Sequence, residues 1–154
     1  MRQGQQQRWK AKLAVAKIHA RIADQRRDFI EQETTRITRE SQAVYLEDLN
    51  VKGMGNSKGK RGKSVHDQSL GMFARTLEAK CVRYGRTFVK VSRWFPSTQL
   101  CSACGALTGP KGQAGLKIRQ WTCDCGARHD RDGNAEINIR REGRHIVAAG
   151  RADT

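Results

Sequence analysis

Two tight cysteine pairs are the residues here best suited to chemistry. Cys101-Ser102-Ala103-Cys104-Gly105 and Cys123-Asp124-Cys125-Gly126 are separated by eighteen residues. Paired thiolates at this spacing grip one ion, and the glycine after the first pair permits the tight turn that points backbone amides at sulfur. The pattern predicts a four-thiolate zinc ribbon, with Lys117-Ile118-Arg119-Gln120-Trp121-Thr122 as the strand entering the second knuckle. The second pair has one intervening residue where two are usual, so its chelate is tighter and His129 is an alternative ligand. The first role expected of the metal is to staple a segment with little core of its own.

Carboxylates offer a second chemistry. Glu47 ends the apolar run Ala43-Val44-Tyr45-Leu46, where an acid is costly unless a metal or a basic partner compensates it. Asp132 stands in His129-Asp130-Arg131-Asp132-Gly133-Asn134, where a last helix should begin. Two acids on separate elements, each at an element's end, suit a Mg2+ site for phosphodiester chemistry. The same residues also read as ordinary structure: Asp130 and Asp132 as acids favoured at a helix start, and Glu47 or Asp48 as an arginine's partner. Spacing alone leaves both readings open.

The elements that must position these groups follow from periodicity. From Gln5 to Ser41 there is neither proline nor glycine, and Trp9, Leu13, Ala16, Ala20, Ala23, Arg27, Ile30, Thr34 and Ile37 step by alternating fours and threes. They form one stripe of a long helix, widened by Val15, Ile18, Ile22 and Phe29. So thin a stripe cannot hold a helix alone, so it must lie on something else or on nucleic acid. Ala43–Leu49 reads as a buried strand and Thr87–Ser92 as a second one. Between them, Val51–Ser64 mixes four glycines with Lys52, Lys58, Lys60, Arg61 and Lys63, the composition of a mobile loop. Ser69 is placed to cap a helix with the stripe Leu70, Phe73, Leu77, Cys81 and Tyr84, stopped by Gly85. Cys81 on that stripe is a core residue. A short last helix is expected over about 134–141, and residues 143–154 as a disordered tail.

Charge bounds the partner. Among 154 residues, 30 are Lys or Arg and 15 are Asp or Glu, a formal charge of +15, so a polyanion is the expected partner. No apolar run approaches the about 20 residues that span a bilayer, and Met1–Lys10 has no apolar signal core. Five cysteines, four of them in metal-type pairs, suit a reducing, cytoplasmic setting.

Three ordered motifs then resemble the C-terminal half of TnpB/OrfB proteins, transposon-encoded RNA-guided nucleases related to type V CRISPR effectors. They are Val44-Tyr45-Leu46-Glu47-Asp48-Leu49-Asn50, Trp94-Phe95-Pro96-Ser97-Thr98-Gln99-Leu100-Cys101 with its knuckle, and His129 through Ile139. The resemblance implies an α/β fold: an incomplete RNase H-like (RuvC) region with a long N-terminal helix and an inserted zinc ribbon. It divides the chain into a partial RuvC-like region over 1–92, the ribbon over 93–128, the last RuvC-like motif over 129–142, and the tail over 143–154. It makes Glu47 and Asp132 the second and third Mg2+-holding acids, with Asp130 the near alternative for the third, and Cys101, Cys104, Cys123 and Cys125 the structural zinc ligands. The implied partners are DNA and guide RNA. Nothing matches the Gly-Ile-Asp-x-Gly-like segment that carries the family's first acid. The chain is therefore expected to be N-terminally truncated, to bind nucleic acid without cutting it alone, and to pair with a chain that supplies the missing strands. A stand-alone basic zinc-ribbon protein that binds nucleic acid without catalysis is the competing expectation.

Overall fold

The computed structural model describes residues 3–50 and 65–150. The expected glycine-rich loop, Val51–Ser64, and residues 151–154 lie outside the described residues. The run without proline or glycine forms one helix, α1 (Gln3–Glu40), followed by strand β1 (Ala43–Glu47). Helix α2 (Val65–Arg83) leads to strand β2 (Thr87–Val91). A one-turn helix α3 (Gly112–Gly115), the short strands β3 (Gln120–Thr122) and β4 (Arg128–Asp130), and helix α4 (Arg131–Ala148) complete the order. The fold is thus mixed α/β, as expected, with the cysteine-bearing segment lying between β2 and α4.

Only the last third of α1 finds a partner within the described residues. Ile30, Thr34 and Thr38 are buried, whereas Trp9, Leu13, Val15, Ile18, Ile22 and Phe29 are exposed. Length gives the reason: at about 1.5 Å per residue α1 runs about 57 Å and α2 about 28 Å, so α2 cannot cover the whole stripe. Where the helices meet, Lys80 donates to Glu31 O at 2.7 Å and to the hydroxyls of Thr34 and Thr35 at 2.9 and 2.7 Å. It also pairs with the Glu31 carboxylate at 2.7 Å. The buried hydroxyls of Thr34 and Thr38 return their own protons to Ile30 O and Thr34 O, four residues back, so this polar stretch is satisfied without water. Cys81, fully buried beside Leu77, is a core residue as expected, and burial pushes its thiol pKa up.

The strand over Ala43 is shorter than expected, and it has a partner in the chain. β1 and β2 pair in parallel, with Ala43 opposite Thr87 and Glu47 opposite Val91. A parallel pair needs a crossover, which α2 supplies. Helix α4 packs across both strands, and its Gly143 lies so close to Tyr45 that a Cβ there would fall inside the tyrosine ring's contact distance. Two further expectations change here. α2 begins at Val65, so Ser69 lies within the helix and is not its cap. α4 runs from Arg131 to Ala148, so residues 143–148 are helical, and the expected disordered tail is corrected over that stretch. The small Gly143, lying against Tyr45 of β1, lets the helix stay on the sheet beyond its expected end.

The register generates a prediction. Thr87 N–H donates to Gln42 O and Asp48 N–H to Val91 O, so alternation in a parallel ladder turns the Val44 and Leu46 amides toward β2. Tyr45 presents its amide to the other edge, where no strand stands among the described residues. Hydrogen exchange resolved by residue should find Val44 and Leu46 protected and Tyr45 at least about tenfold faster. Equal protection at all three would refute this register.

Candidate metal centre and its adjoining cavity

Each cysteine pair sits in a hairpin-like knuckle closed by its own backbone. Cys101 N–H donates to Ala106 O and Gly105 N–H to Cys101 O, both at 2.8 Å. The second knuckle repeats this with Cys123 N–H to Ala127 O and Gly126 N–H to Cys123 O. Gly105 and Gly126 have φ of 80° and 87°, a left-handed backbone that a side chain resists. The expected role of Gly105 holds, and Gly126 does the same for the tighter second pair.

The folded knuckles bring four sulfurs together. Cys101 Sγ lies 3.9 Å from Cys125 Sγ, and Cys104 Sγ lies 3.6 Å from Cys123 Sγ. Four thiolates about 2.3 Å from a tetrahedral zinc stand about 3.8 Å apart, so the donor set fits that ion. All four ligand atoms lie within 4.8 Å of one another. Among the described residues they are the one set of three or more His, Cys, Asp or Glu side chains close enough to share an ion. His129 stays outside this set. Its Nε2 stands 3.1 Å from Cys101 Sγ, as a hydrogen-bond partner, and its ring leans on Trp121 with centroids 4.7 Å apart. The Thr108 hydroxyl donates to Cys123 Sγ at 3.0 Å and holds that thiol down to about 6. At Cys104 the Ala106 backbone pulls downward, yet the three neighbouring sulfurs hold the thiol up to about 12. Such a mixed cluster releases protons when a cation enters.

A cavity of about 840 Å³ opens beside the cysteine knuckles, between the end of α1, β1, Ser97, Thr98 and the face of α4 from Asp132 to Arg144. Both sequence-singled acids line it: Glu47 from the end of β1 and Asp132 from the first turn of α4. The ordinary-structure readings resolve residue by residue. Asp48 is the arginine partner, bound to Arg93. Asp130 is the helix cap, accepting from Asp132 N–H at 3.1 Å and Gly133 N–H at 2.9 Å. Glu47 has no ion pair among the described residues, and desolvation raises its pKa. Asp132 keeps an exposed carboxylate, 3.0 Å from Arg131.

Three residues of α4, one on the cavity wall and two buried against segment 97–102, carry roles that spacing did not single out. Glu136 lines the cavity one turn beyond Asp132 and pairs with Arg140 at 3.4 Å. Asn134 and Asn138, 3% and 2% exposed, hold the ribbon. Asn134 accepts from Ser102 N–H at 2.9 Å and donates to Leu100 O at 2.8 Å, and Asn138 donates to Leu100 O at 2.7 Å and Ser97 O at 2.9 Å. A signal was available: asparagine disfavours helix interiors, and two of them four residues apart mark one face with a reason to be there.

The arrangement defines a class of protein, a small α/β unit whose last helix carries both a four-cysteine knuckle pair and an acid-lined cavity. Residues 1–58 match a family described as "Probable transposase", and residues 71–139 match the "Cas12f1-like, TNB domain". A Streptomyces pristinaespiralis protein named "Putative RNA-guided DNA endonuclease" is 44% identical over 96% of this chain and 36% of its own length. Relatives of the same description from two strains of Mycobacterium tuberculosis are 32% identical over 82% of this chain and 28% of theirs. The fold resembles the Cas12f1 chain of a cryo-EM complex with sgRNA and target DNA, at a TM-score of 0.60 and 18% identity, over 87% of this chain and 38% of that one. Together these matches support a TnpB-like chain, and it spans about a third of the length of the curated relatives it matches.

Glu47 supplies a pH prediction. Burial raises its pKa in the folded state, so the folded chain holds this proton to higher pH than the unfolded one does. Stability contributed by this group therefore falls as pH climbs from the ordinary Glu range through the raised value. In metal-free buffer Glu47→Gln should raise the melting midpoint near neutrality, and the gain should vanish below about pH 4. Melting curves across that range decide it, and a lower midpoint for the variant at neutral pH would contradict the assignment.

Proposed function

We propose that this chain is the nucleic-acid-binding and metal-holding part of an RNA-guided DNA endonuclease. In this reading residues 1–92 and 129–148 form a partial RNase H-like (RuvC) region, and 93–128 form a zinc ribbon. Cys101, Cys104, Cys123 and Cys125 hold Zn2+ structurally, and Glu47 and Asp132 are two ligands of a Mg2+ site. The observation that carries it is Glu47: a half-buried carboxylate without an ion pair among the described residues, facing the same cavity as Asp132. A cation there offsets the desolvation that raises its pKa. Mg2+ supplies charge stabilisation at a scissile phosphodiester when bound. The chain's own groups orient it: β1 and α4 fix the two carboxylates, while Arg140 and Arg144 on the cavity wall attract phosphate.

Nucleic acid, both guide RNA and target DNA, is held through phosphates. Arg8, Lys10, Lys12, Lys17 and Arg21 are exposed along the free part of α1, within a chain of net charge +15. Such contacts carry little sequence preference. Among the described residues no set of three side chains at ion-sharing distance includes Glu47 or Asp132, which favours binding over cutting for these 154 residues taken alone.

Elemental analysis of protein purified in reducing, chelator-free buffer should find about one zinc per chain, lost in Cys104→Ser. A zinc content near zero in the parent protein would remove the ribbon from the proposal. Binding to labelled DNA and RNA should weaken about a thousandfold or more between low and moderately raised salt, since release of counterions drives it. Affinity indifferent to salt would contradict the phosphate reading.

Cleavage tests the carboxylates. With Mg2+ the 154-residue chain should cut labelled single- and double-stranded DNA at background rates. Mg2+ should nevertheless raise its melting midpoint, and Glu47→Gln and Asp132→Asn should each abolish that rise. A midpoint unmoved by Mg2+ would refute the shared site, and rapid cutting lost in either variant would show the two acids sufficient without a third.

A further inference from the structure

Segment 97–102 leads into and forms half of the first knuckle, and α4 holds it at several points. Leu100 O and Ser102 N–H, on either side of Cys101, both bond to Asn134. Asn138 bonds to Leu100 O and Ser97 O, and the Arg141 guanidinium donates to Ser102 O. At the other end His129, whose Nε2 touches Cys101 Sγ, directly precedes Asp130, the residue that caps α4. Sulfur cluster and helix start are therefore joined twice, through His129 on the chain and through the two asparagines across space. Both amides are almost fully buried, so a knuckle that moved away would leave them and the two carbonyls without partners.

We propose that Asn134 and Asn138 are positioning residues that transmit metal occupancy of the cysteine cluster to the first turn of α4, and so to Asp132. This rests on reading the cysteines as a metal site and Asp132 as a cation ligand. A metal that draws Cys101 and Cys104 into one geometry fixes Leu100 O and Ser102 N–H, the groups on either side of Cys101. Those groups then fix Asn134 and Asn138, which lie on the same helix as Asp132 and within two turns of it. Linkage makes the effect reciprocal: the factor by which zinc favours the seated helix is the factor by which the seated helix favours zinc. Asn134→Asp separates the parts, since it keeps the acceptor for Ser102 N–H and loses the donor to Leu100 O.

The test uses the full chain with Zn2+ alone as the probe. Chelator competition measures zinc affinity, and hydrogen exchange measures the opening of residues 131–136 with and without zinc. In the parent protein, zinc should slow that exchange at least about tenfold, the lower range for partners surrounding a metal's ligands. Asn134→Ala and Asn138→Ala should each weaken zinc by a comparable factor and make exchange over 131–136 indifferent to zinc. The Co2+ spectrum should remain that of four thiolates, since no ligand is removed. Leu77→Ala, a core truncation remote from the ribbon, should lower stability and leave the zinc dependence of 131–136 intact.

Exchange over 131–136 that ignores zinc in the parent protein overturns the proposal without recourse to any variant. So does zinc affinity within twofold of the parent in both alanine variants, or loss of the zinc dependence in Leu77→Ala. If the alanine variants fail to fold, Asn134→Asp and Arg141→Gln should shift affinity and exchange in the same direction by smaller factors, and no shift in either counts against it. None of these readouts involves Mg2+. Zinc coupling present with no Mg2+ effect on melting refutes the proposed carboxylate site and leaves the coupling standing, and the converse separates them the other way.

Discussion

The contact of four sulfurs is the constraint on which the second half of this molecule depends. Between Ser92 and β4 few apolar side chains are buried, and among the described residues the buried ones of that stretch are Ser97, Cys101, Ser102, Gly115 and Cys123. A segment with so little hydrophobic burial cannot offset its conformational entropy by packing alone. Its shape comes from backbone bonds that close two knuckles, from sulfur that draws them together, and from two buried amides that tie them to α4. The hairpin passes into that helix without a linker, because Asp130 is both the last residue of β4 and the cap of α4. The expected boundary between residues 128 and 129 thus falls inside a strand, and ribbon and helix behave as one body.

Against this polar half stands a small apolar one. Ile30, Leu77, Cys81, Val89 and Val91 form a core between α1, α2 and the two-stranded sheet. α4 lies over both, with Gly143 against Tyr45 at one end and Asp132 at the other. Carboxylates then occupy different energetic situations within a few residues of each other. Asp48 and Asp130 are consumed by an arginine and by backbone amides, whereas Glu47 bears a desolvation cost without a compensating partner among the described residues. Groups left in that condition are where function is sought first.

Much of this was legible in residue order. Cysteine spacing carried the four-sulfur cluster because metal geometry constrains sequence directly. Apolar runs bounded by glycine carried β1, α2 and β2 to within a few residues. Three things were not legible. The extension of α4 to Ala148 depends on the close approach of Gly143 to Tyr45, a contact between residues almost a hundred positions apart. The sorting of acids depends on which arginine or amide reaches each one, and local spacing holds no record of that. The uncovered length of α1 follows from α2 being half as long, a comparison between elements that no periodicity within either can supply.

The parallel pairing of β1 with β2 has a further consequence, for the time at which the molecule can form. Ala43 leaves the ribosome about 44 residues before Thr87, and at about 5–20 residues per second that interval lasts about two to nine seconds. During it the newly made Ala43-Val44-Tyr45-Leu46 strand has no partner within its own chain. The knuckles wait about half as long, since Cys101 and Cys125 follow one another within about one to five seconds at the same rates. Synthesis therefore leaves the apolar half waiting on its crossover helix, open to chaperones, about twice as long as the cysteine half waits for its last sulfur.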